Sequence, residues 1–370
     1  MGDAGEEKMK IGIYDPYLDD LGGGEKYMMT IAECLSKDHK VSLFWDKKEE
    51  LDALLKRFSI DLSLVKLENN IFTKGTPLLK RLYETKKYDR IIVLSDGSIP
   101  IVSCPLLLHF QQPLTHIKPT FLGKLKLKRV KTIFCNSSFT KSFIDKEFDV
   151  QSLVLYPPIS IKAKNLKKEN TILSVGRFRV KDVIVKTDRG IEGVGDYKKL
   201  GILINVFKEM VDDGLKDWKL VLAVSVNDAD KEKFEILKKQ IEKYPVSLEI
   251  NRTNKDLWEI YSKTKIYWHA AGFGEDLGKH PEFAEHFGIS TVEAMGAGAV
   301  PVVIGAGGQK ETVKDNENGY LWNTTKELRE KTLKIITDEK LLKKLSKNAQ
   351  KDAQRFIDQD FCKKIRQMIE

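Results

Sequence analysis

The stretch EHFGISTVEAMGAGAVPVVIGAGGQKE, at residues 285–311, predicts a loop, a helix and a strand in succession. Gly288 and Ser290 predict a loop that leads into a helix beginning near Ser290. The run VPVVIG (300–305) is continuously apolar, which is typical of a parallel strand covered by helices on both faces. We therefore expect Glu285 in the loop and Glu293 in the first helical turn.

Similar apolar runs precede this stretch along the whole chain, with amphipathic segments between them. In the second half they are TILSVGR (171–177), KLVLAVSV (219–226), VSLEIN (246–251) and IYWHA (266–270). In the first half they are KIGIYD (10–15), KVSLFWD (40–46), RIIVLSD (90–96), PLLLHF (105–110), KTIFCNS (131–137) and SLVLYP (152–157). This order predicts an α/β protein with two doubly wound, Rossmann-like domains whose strand ends face a shared cleft.

The apolar pattern stops at Tyr156-Pro157-Pro158, and a polar run follows at 159–170. Domain boundaries fall where few apolar contacts form, so we predict domains at 1–160 and 161–353. Residues 354–370 are predicted to form a final helix that crosses back to the first domain. The polar, acidic residues 1–9 are expected to be disordered.

Composition bounds the class of protein. The chain has 370 residues, of which 41% are hydrophobic and 32% are charged, with a formal net charge of +9. The charge fits nucleic acid, anionic lipid or a phosphorylated small molecule as partner, and equally a solvated lysine-rich surface. No module for nucleic-acid recognition is present, so no nucleic-acid partner is expected. Prolines and Asp96 interrupt the apolar stretch 91–110, which therefore predicts two buried strands and not a membrane span.

Four cysteines lie far apart in sequence and form no CxxC motif: Cys34, Cys104, Cys135 and Cys362. This spacing favours reduced, buried thiols in a cytosolic protein, and it implies no metal site.

Gly22, Gly23 and Gly24 follow the first strand and open the first helix. Their amides, with the helix N-terminus, are suited to hold an anion, although a plain strand-to-helix turn would need the same glycines. The motif lacks the spacing of GxGxxG. Asp46 does stand about 20 residues on, where a dinucleotide site has an acid, so a dehydrogenase remains an alternative.

Ser290 and Glu293 match the capping box S-x-x-E, which needs no ligand. The functional alternative is that the loop amides of Phe287, Gly288 and Ile289 bind a phosphate while the carboxylates of Glu285 and Glu293 bind sugar hydroxyls. The residues alone leave both interpretations open. Arg177, in the motif VGR, ends a strand and is suited to pair with a diphosphate.

EHFGISTVEAMGAG resembles the E-x7-E signature of the retaining GT-B glycosyltransferases of family 4. GGGEKY, CNSSFT (135–140), VLYPP (154–158) and VGR also fit that family, in the expected order from about Lys10 to the C-terminus. The motifs are especially similar to those of mannosyltransferases that extend dolichol-linked oligosaccharides. The resemblance implies transfer of a hexose, mannose or glucose, from a GDP- or UDP-linked donor.

The resemblance also implies roles for single residues. Glu293 would hold the ribose hydroxyls of the nucleotide, and Glu285 would contact the donor sugar. Arg177 and a lysine would neutralise the departing diphosphate. That lysine is assigned to Lys198, which stands nine residues before Phe207 as in the family.

The family usually has this lysine a few residues after the arginine, whereas here residues 179–197 intervene as a predicted loop or hairpin. Lys199 and Lys181 are therefore the alternatives. His109 ends a strand and is expected to face the cleft near the donor sugar, or else to be a packed histidine. His269 and His280 receive no role.

The mechanism that the family implies is a front-face displacement in which cations and amides stabilise the leaving diphosphate, without a cofactor or metal ion. The acceptor, a glycan or lipid-linked sugar, would bind the first domain. Residues 118–131 interleave basic and apolar side chains, which suits a peripheral protein on the cytoplasmic face of an anionic membrane or a solvated helix face. A nucleotide-sugar epimerase on the same fold is the other enzyme alternative.

Overall fold

The structure is a computed structural model, and it describes residues 8–18, 23–58, 60–115, 117–187, 190–239 and 241–370. For residues 53, 57, 180–187, 190–195, 358 and 359 the backbone alone is described. Most of the tail predicted at residues 1–9, and Gly22, lie outside the described residues. The chain divides into two compact units, 1–158 with 358–370 and 159–357. The predicted boundaries, at 160 and 353, lie within a few residues of these.

The first unit is built on a seven-stranded parallel sheet with strand order β3-β2-β1-β4-β5-β6-β7. Its strands are β1 (Lys10–Tyr14), β2 (Lys40–Phe44), β3 (Lys66–Glu68), β4 (Arg90–Leu94), β5 (Leu106–Phe110), β6 (Val130–Cys135) and β7 (Leu153–Val154). Its helices are α1 (Gly23–Ser36), α2 (Lys48–Phe58), α3 (Leu78–Thr85), α4 (Phe121–Leu127) and α5 (Ser138–Phe148). β1 and β4 are neighbours in the sheet, although β2 and β3 lie between them in sequence.

Both faces of this sheet are buried, which explains the continuous apolar runs in the sequence. Along β4, Ile92 and Leu94 belong to one apolar core, whereas Ile91 and Val93 belong to another. Because successive side chains of a strand point to opposite faces, the two cores lie on the two sides of the sheet. Most residues of the central strands are therefore apolar, as predicted.

The second unit repeats this plan with a six-stranded parallel sheet of order β12-β11-β8-β13-β14-β15. Its strands are β8 (Glu169–Phe178), β11 (Lys219–Val226), β12 (Val246–Ile250), β13 (Thr264–His269), β14 (Val300–Ile304) and β15 (Tyr320–Trp322), with a separate hairpin of β9 (Val180–Thr187) and β10 (Gly190–Asp196). Its helices are α6 (Leu200–Asp212), α7 (Lys231–Lys239), α8 (Asn254–Lys263), α9 (Ile289–Gly296), α10 (Gln309–Thr312), α11 (Thr325–Thr337) and α12 (Glu339–Ala353). Short 3-10 turns lie at Asp228–Asp230, Pro281–Phe283 and Gln354–Phe356. The prediction of two doubly wound, Rossmann-like sheets is confirmed.

The last helix, α13 (Asp358–Ile369), packs on the first unit against α1. Cys362 on this helix is bonded to Cys34 on α1. The expectation of four reduced thiols is wrong for this pair, because the fold brings together two cysteines that are 328 residues apart. Cys104 and Cys135 are free thiols. No helix in the described part of the chain is long and apolar enough to cross a membrane.

Candidate active site

The second unit has its topological switch point between β8 and β13. These strands pair in parallel, but the connection from β8 leads first to β11 on the other side. In open α/β sheets ligands bind beyond the carboxyl ends of the strands at such a point. The residues that end β8 and β13 are therefore the first candidates for a site.

Three polar side chains meet at this point. The Lys198 Nζ atom lies 2.5 Å from Glu285 Oε2, and the His269 Nε2 atom lies 2.9 Å from the same oxygen. His269 is the last residue of β13 and is 1% exposed. Lys198 lies across Gly176 near the end of β8, where a Cβ atom at residue 176 would be 2.8 Å from the lysine Cγ. One carboxylate thus joins a cation and an imidazole at the switch point.

The charges of this cluster support one another. Burial raises the pKa of Glu285, but the Lys198 ammonium and the hydrogen bond from His269 outweigh it and hold that pKa well below the usual range. Burial lowers the pKa of His269, and the nearby Lys198 charge lowers it further. At neutral pH the cluster therefore contains an ionised glutamate and a neutral histidine beside Lys198.

The geometry also selects the tautomer of His269. An ionised carboxylate only accepts hydrogen bonds, so the 2.9 Å contact with Glu285 requires a proton on Nε2. The Lys198 Nζ atom, 3.4 Å from the same nitrogen, then donates to Glu285 and not to the ring. The opposite nitrogen, Nδ1, is buried without a hydrogen-bond partner among the described residues.

The hairpin β9–β10 explains how Lys198 reaches the site despite the long insertion. The chain leaves β8 at Arg179 and returns at Tyr197, whose amide donates to the Arg179 carbonyl at 3.2 Å. The buried Asp196 then accepts hydrogen bonds from the amides of Lys198 and Leu200. The insertion is thereby looped out as a hairpin, which was one of the two predicted forms.

The two alternative lysines lie elsewhere or are not described. Lys199 pairs with Glu275, with 2.6 Å between its Nζ atom and Oε1. The side chain of Lys181 lies outside the described residues. Of the three candidates, Lys198 is the one that contacts Glu285 in the described structure.

The loop that carries Glu285 is held by the turn after β14. The Gly308 amide donates to the Glu285 carbonyl at 2.7 Å. A Cβ atom at Gly307 would lie 2.3 Å from that carbonyl oxygen, and one at Gly308 would lie 2.3 Å from the His286 oxygen. Larger residues would push the loop away, so both glycines are required for the position of Glu285.

The N-terminus of α9 corrects one prediction. The helix begins at Ile289, close to the expected start, but its N-cap is Gly288 with φ 102°, and no side chain caps it. Ser290 and Glu293 therefore do not form a capping box. The Ser290 hydroxyl instead contacts the Tyr267 hydroxyl at 2.7 Å, and the Tyr261 hydroxyl donates to Glu293 at 3.1 Å.

Glu285 and Glu293 lie near a common neighbour, the buried Tyr267. Burial raises the pKa of this tyrosine, and the charges of both glutamates add to the increase. Glu285 lies in the loop, as predicted, while Glu293 is the fifth residue of α9, just beyond the first turn. The fold thus brings both acids of the signature to one place.

The remaining residues predicted in the second unit are Arg177 in β8 and the residues around the start of α9. Arg177 is an exposed residue of β8, next to Gly176. Phe287 is 2% exposed and packs edge-on against Phe356. Its ring fixes the loop, so any role in donor binding would fall to its backbone. The first amides of α9, after Gly288, have no partner within the helix, as at any helix start.

His109 is placed differently from the prediction. Its ring is wholly buried and stacked between Tyr27 and Phe134, with centroid distances of 4.3 and 4.4 Å. Nδ1 lies 3.1 Å from the Phe134 carbonyl oxygen, and burial lowers the pKa of the ring to about 3. The aromatic neighbours enclose the ring, so the structure shows the packed histidine that was the alternative to a position facing the donor sugar.

The glycine motif of the first unit lies where it was expected. Gly23 and Gly24 are the first residues of α1, after β1 at the switch point between β1 and β4. The Gln111 side chain donates to the Gly24 carbonyl at 3.0 Å. Asp46, which a dehydrogenase would use, instead accepts a hydrogen bond from the Asn70 amide.

Sequence reasoning missed His269, the pair Gly307 and Gly308, and the tyrosines Tyr261 and Tyr267. The signal for His269 was present, because IYWHA predicts a histidine at the carboxyl end of a buried strand. Among the residues that the structure describes, no three His, Cys, Asp or Glu side chains are grouped to hold a metal ion.

Comparison with known proteins shows what the chain is similar to. Residues 193–352, which lie within the second unit, match the family model for glycosyl transferases group 1. A glycosyltransferase of Rickettsia africae ESF-5 superposes with a TM-score of 0.75, at 14% identity and covering 98% of both chains. Anabaena Alr3699/HepE in complex with UDP gives 0.71, at 19% identity over 97% of this chain and 98% of that one. These likenesses confirm the GT-B fold.

The curated relatives narrow the resemblance. A GDP-Man:Man(3)GlcNAc(2)-PP-Dol alpha-1,2-mannosyltransferase of Dictyostelium discoideum is 26% identical over 258 residues, or 65% of this chain and 47% of the relative. The enzyme of the same description in Caenorhabditis elegans is 29% identical over 224 residues, or 55% and 43%. The chain spans about half the length of the curated relatives it matches. The predicted resemblance to group 1 enzymes that act on dolichol-linked oligosaccharides is confirmed.

Proposed function

We propose that this protein is a glycosyltransferase that moves a hexose, with retention of configuration, from a nucleoside diphosphate sugar to a glycan or lipid-linked acceptor. The observation that carries the proposal is the Lys198–Glu285–His269 cluster at the switch point of the segment that matches group 1 glycosyltransferases. The curated relatives favour mannose from a GDP-linked donor.

Glu285 and Lys198 of the cluster each have a proposed role in this reaction. Glu285 accepts hydrogen bonds from donor sugar hydroxyls, because its low pKa keeps it an acceptor at neutral pH. Lys198 stabilises the charge that grows on the leaving diphosphate, aided by Arg177 and the amides at the start of α9. Glu293 binds the ribose.

These cations would take the role that a metal ion has in other sugar transferases. We therefore expect full activity in EDTA. Loss of activity on chelation that manganese restores would contradict this part of the scheme.

The test of the proposed function is thermal-shift titration with GDP, UDP and NAD, followed by incubation with the matching nucleotide sugars. We expect stabilisation by one nucleoside diphosphate and none by NAD, because a ligand that binds only the folded state raises the melting temperature. Sugar release or transfer, with the anomeric configuration retained, would support the proposal. Stabilisation by NAD, or conversion of the donor to an epimer without transfer, would overturn it.

A further inference from the structure

Exposed apolar side chains are concentrated on two short helices of the first unit. Half of the large hydrophobic residues that are exposed in the described structure fall in or beside α3 and α4: Leu78, Leu79, Tyr83, Ile117, Phe121, Leu122 and Leu125. Isolated apolar residues on a surface are ordinary, but a cluster indicates an interaction site.

Helix α4 has no buried residue at all. Phe121 and Leu122 are 78% and 68% exposed, and Leu125 lies one turn beyond Phe121 on the same face. Residues 118–131 contain six cations and no acid: Lys118, Lys124, Lys126, Lys128, Arg129 and Lys131. The apolar residues are therefore interleaved with positive charge, and the same stretch supplies no acid.

Helix α3 has the same character, although the sequence pattern did not single it out. Leu79 and Tyr83, four residues apart on one face, are 80% and 78% exposed. Among its charges, Glu84 pairs with Lys87 at 2.9 Å, which leaves an excess of cations along the segment from Lys74 to Arg90.

The two helices flank the same stretch of chain, residues 100–104. On one side, Ser103 donates from its hydroxyl to the Leu82 carbonyl of α3 and from its amide to the Thr85 hydroxyl. On the other side, Lys126 and Arg129 line a small cavity together with residues 100–102 and Cys104. The apolar and basic residues of α3 and α4 thus belong to one region of the first unit.

We propose that residues 78–87 and 117–131 form a single lipid-docking face that rests on an anionic bilayer. Phe121, Leu122, Leu79 and Tyr83 enter the boundary between headgroups and acyl chains, where amphipathic helices bind. The surrounding lysines are attracted to the negative lipid headgroups. The evidence for docking is the exposed surface of the first unit and does not depend on the proposed function. The purpose of docking, to bring the enzyme to a lipid-linked acceptor, rests on the proposed function.

The experiment is flotation of the purified chain with vesicles of phosphatidylcholine alone or mixed with phosphatidylserine. We expect binding to the mixed vesicles and little to the neutral ones. The double variants Phe121→Ser/Leu122→Ser and Leu79→Ser/Tyr83→Ser should each lower the bound fraction. Lys124→Glu/Lys128→Glu should lower the membrane partition coefficient by about fivefold or more per charge removed.

The matched control is Leu64→Ser/Leu153→Ser, which removes two exposed leucines of the same unit, 66% and 50% exposed, that lie outside both segments. It should float like the wild type. Equal binding by the Leu79→Ser/Tyr83→Ser variant would overturn the two-helix face, and so would no binding of the wild type. Displacement of the chain from the mixed vesicles by a polyuridine competitor would instead indicate a nucleic-acid surface.

Flotation needs neither donor nor acceptor, so its outcome is separate from the proposed function. Donor hydrolysis in the absence of vesicles should be unchanged in all of these variants. A protein that is active but does not float would contradict the docking face alone. A protein that floats but has no activity would contradict the proposed transferase function alone.

Discussion

His109 in the first unit and His269 in the second unit have similar sequence contexts, since each stands at or near the end of an apolar strand. Both rings are buried, and both have one nitrogen without a hydrogen-bond partner among the described residues. Their neighbours differ. His109 is stacked between two aromatic rings, whereas His269 donates to the partly exposed carboxylate of Glu285 beside a lysine.

The difference follows from strand order. β13, which ends in His269, lies directly beside β8 at the switch point of its sheet. β5, which carries His109, is separated from β1 by β4, one strand away from the switch point of the first sheet. His269 thus stands beside the crevice where sequence order reverses, whereas His109 lies one strand away from it.

The largest effect is expected for Glu285, the centre of the second-unit cluster. Glu285→Gln keeps the shape but removes the charge that Lys198 and His269 share. Since one well-placed polar group contributes about 10²–10³ in kcat, we expect a loss of that order in the transfer rate. The matched control is Glu282→Gln, in the same loop, whose carboxylate pairs with His280. A fully active Glu285→Gln variant would refute the site.

The contrast between the two histidines is tested by the pair His269→Phe and His109→Phe. We infer that His269 is a positioning residue, so its replacement should lower kcat by about tenfold to a hundredfold with a smaller change in donor KM. Loss of its hydrogen bond should also raise the pKa of Glu285 and move the acid limb of the kcat profile to higher pH.

Because a glutamine amide can donate in place of Nε2, His269→Gln should recover part of the rate. His109→Phe should stay within about twofold of the wild type, since phenylalanine fits a stack of aromatic rings. Equal losses in both phenylalanine variants would end the distinction between the two histidines.

A smaller effect is expected on stability. His109 stays neutral in the folded chain down to pH of about 3, whereas an unfolded histidine takes up a proton below about pH 6.5. The unfolded state then binds more protons, so the free energy of unfolding falls as pH drops through this window. Between pH 7 and pH 5 the free energy of unfolding of the His109→Phe variant should therefore fall by about 2 kcal/mol less than that of the wild type. Urea unfolding at both values measures it, and an unchanged pH dependence would contradict the burial.

The sequence was sufficient for most of the fold, because strands buried on both faces must be apolar throughout. β3 and β15, with three residues each, were not predicted, since so short a run produces no periodic signal. Cys34 and Cys362 were expected to be free because they lie far apart in sequence. Their proximity depends on where α13 packs, which no local pattern reveals. The local pattern S-x-x-E also indicated a capping box that is not formed. Gly288, in a left-handed conformation, is the N-cap of α9 in place of Ser290.

The candidate site was predictable where a motif carried it and not where tertiary contact did. The glutamates and Lys198 were assigned from the resemblance to the family 4 motifs, and the hairpin loops out the insertion before that lysine. The role of His269 depends on the loop after β13, which brings Glu285 back to the end of that strand. The turn at Gly307 and Gly308 holds this loop in place. No local pattern encodes such a return.

The most direct test compares two adjacent lysines, Lys198→Met and Lys199→Met. Each lysine forms an ion pair in the second unit, with Glu285 and Glu275 respectively, and thermal melting would establish that both variants are folded. We expect Lys198→Met to lose about a hundredfold or more in transfer and its stabilisation by the nucleoside diphosphate. Lys199→Met should retain both. An active Lys198→Met protein, or loss confined to Lys199→Met, would contradict a donor site built on Lys198, Glu285 and His269.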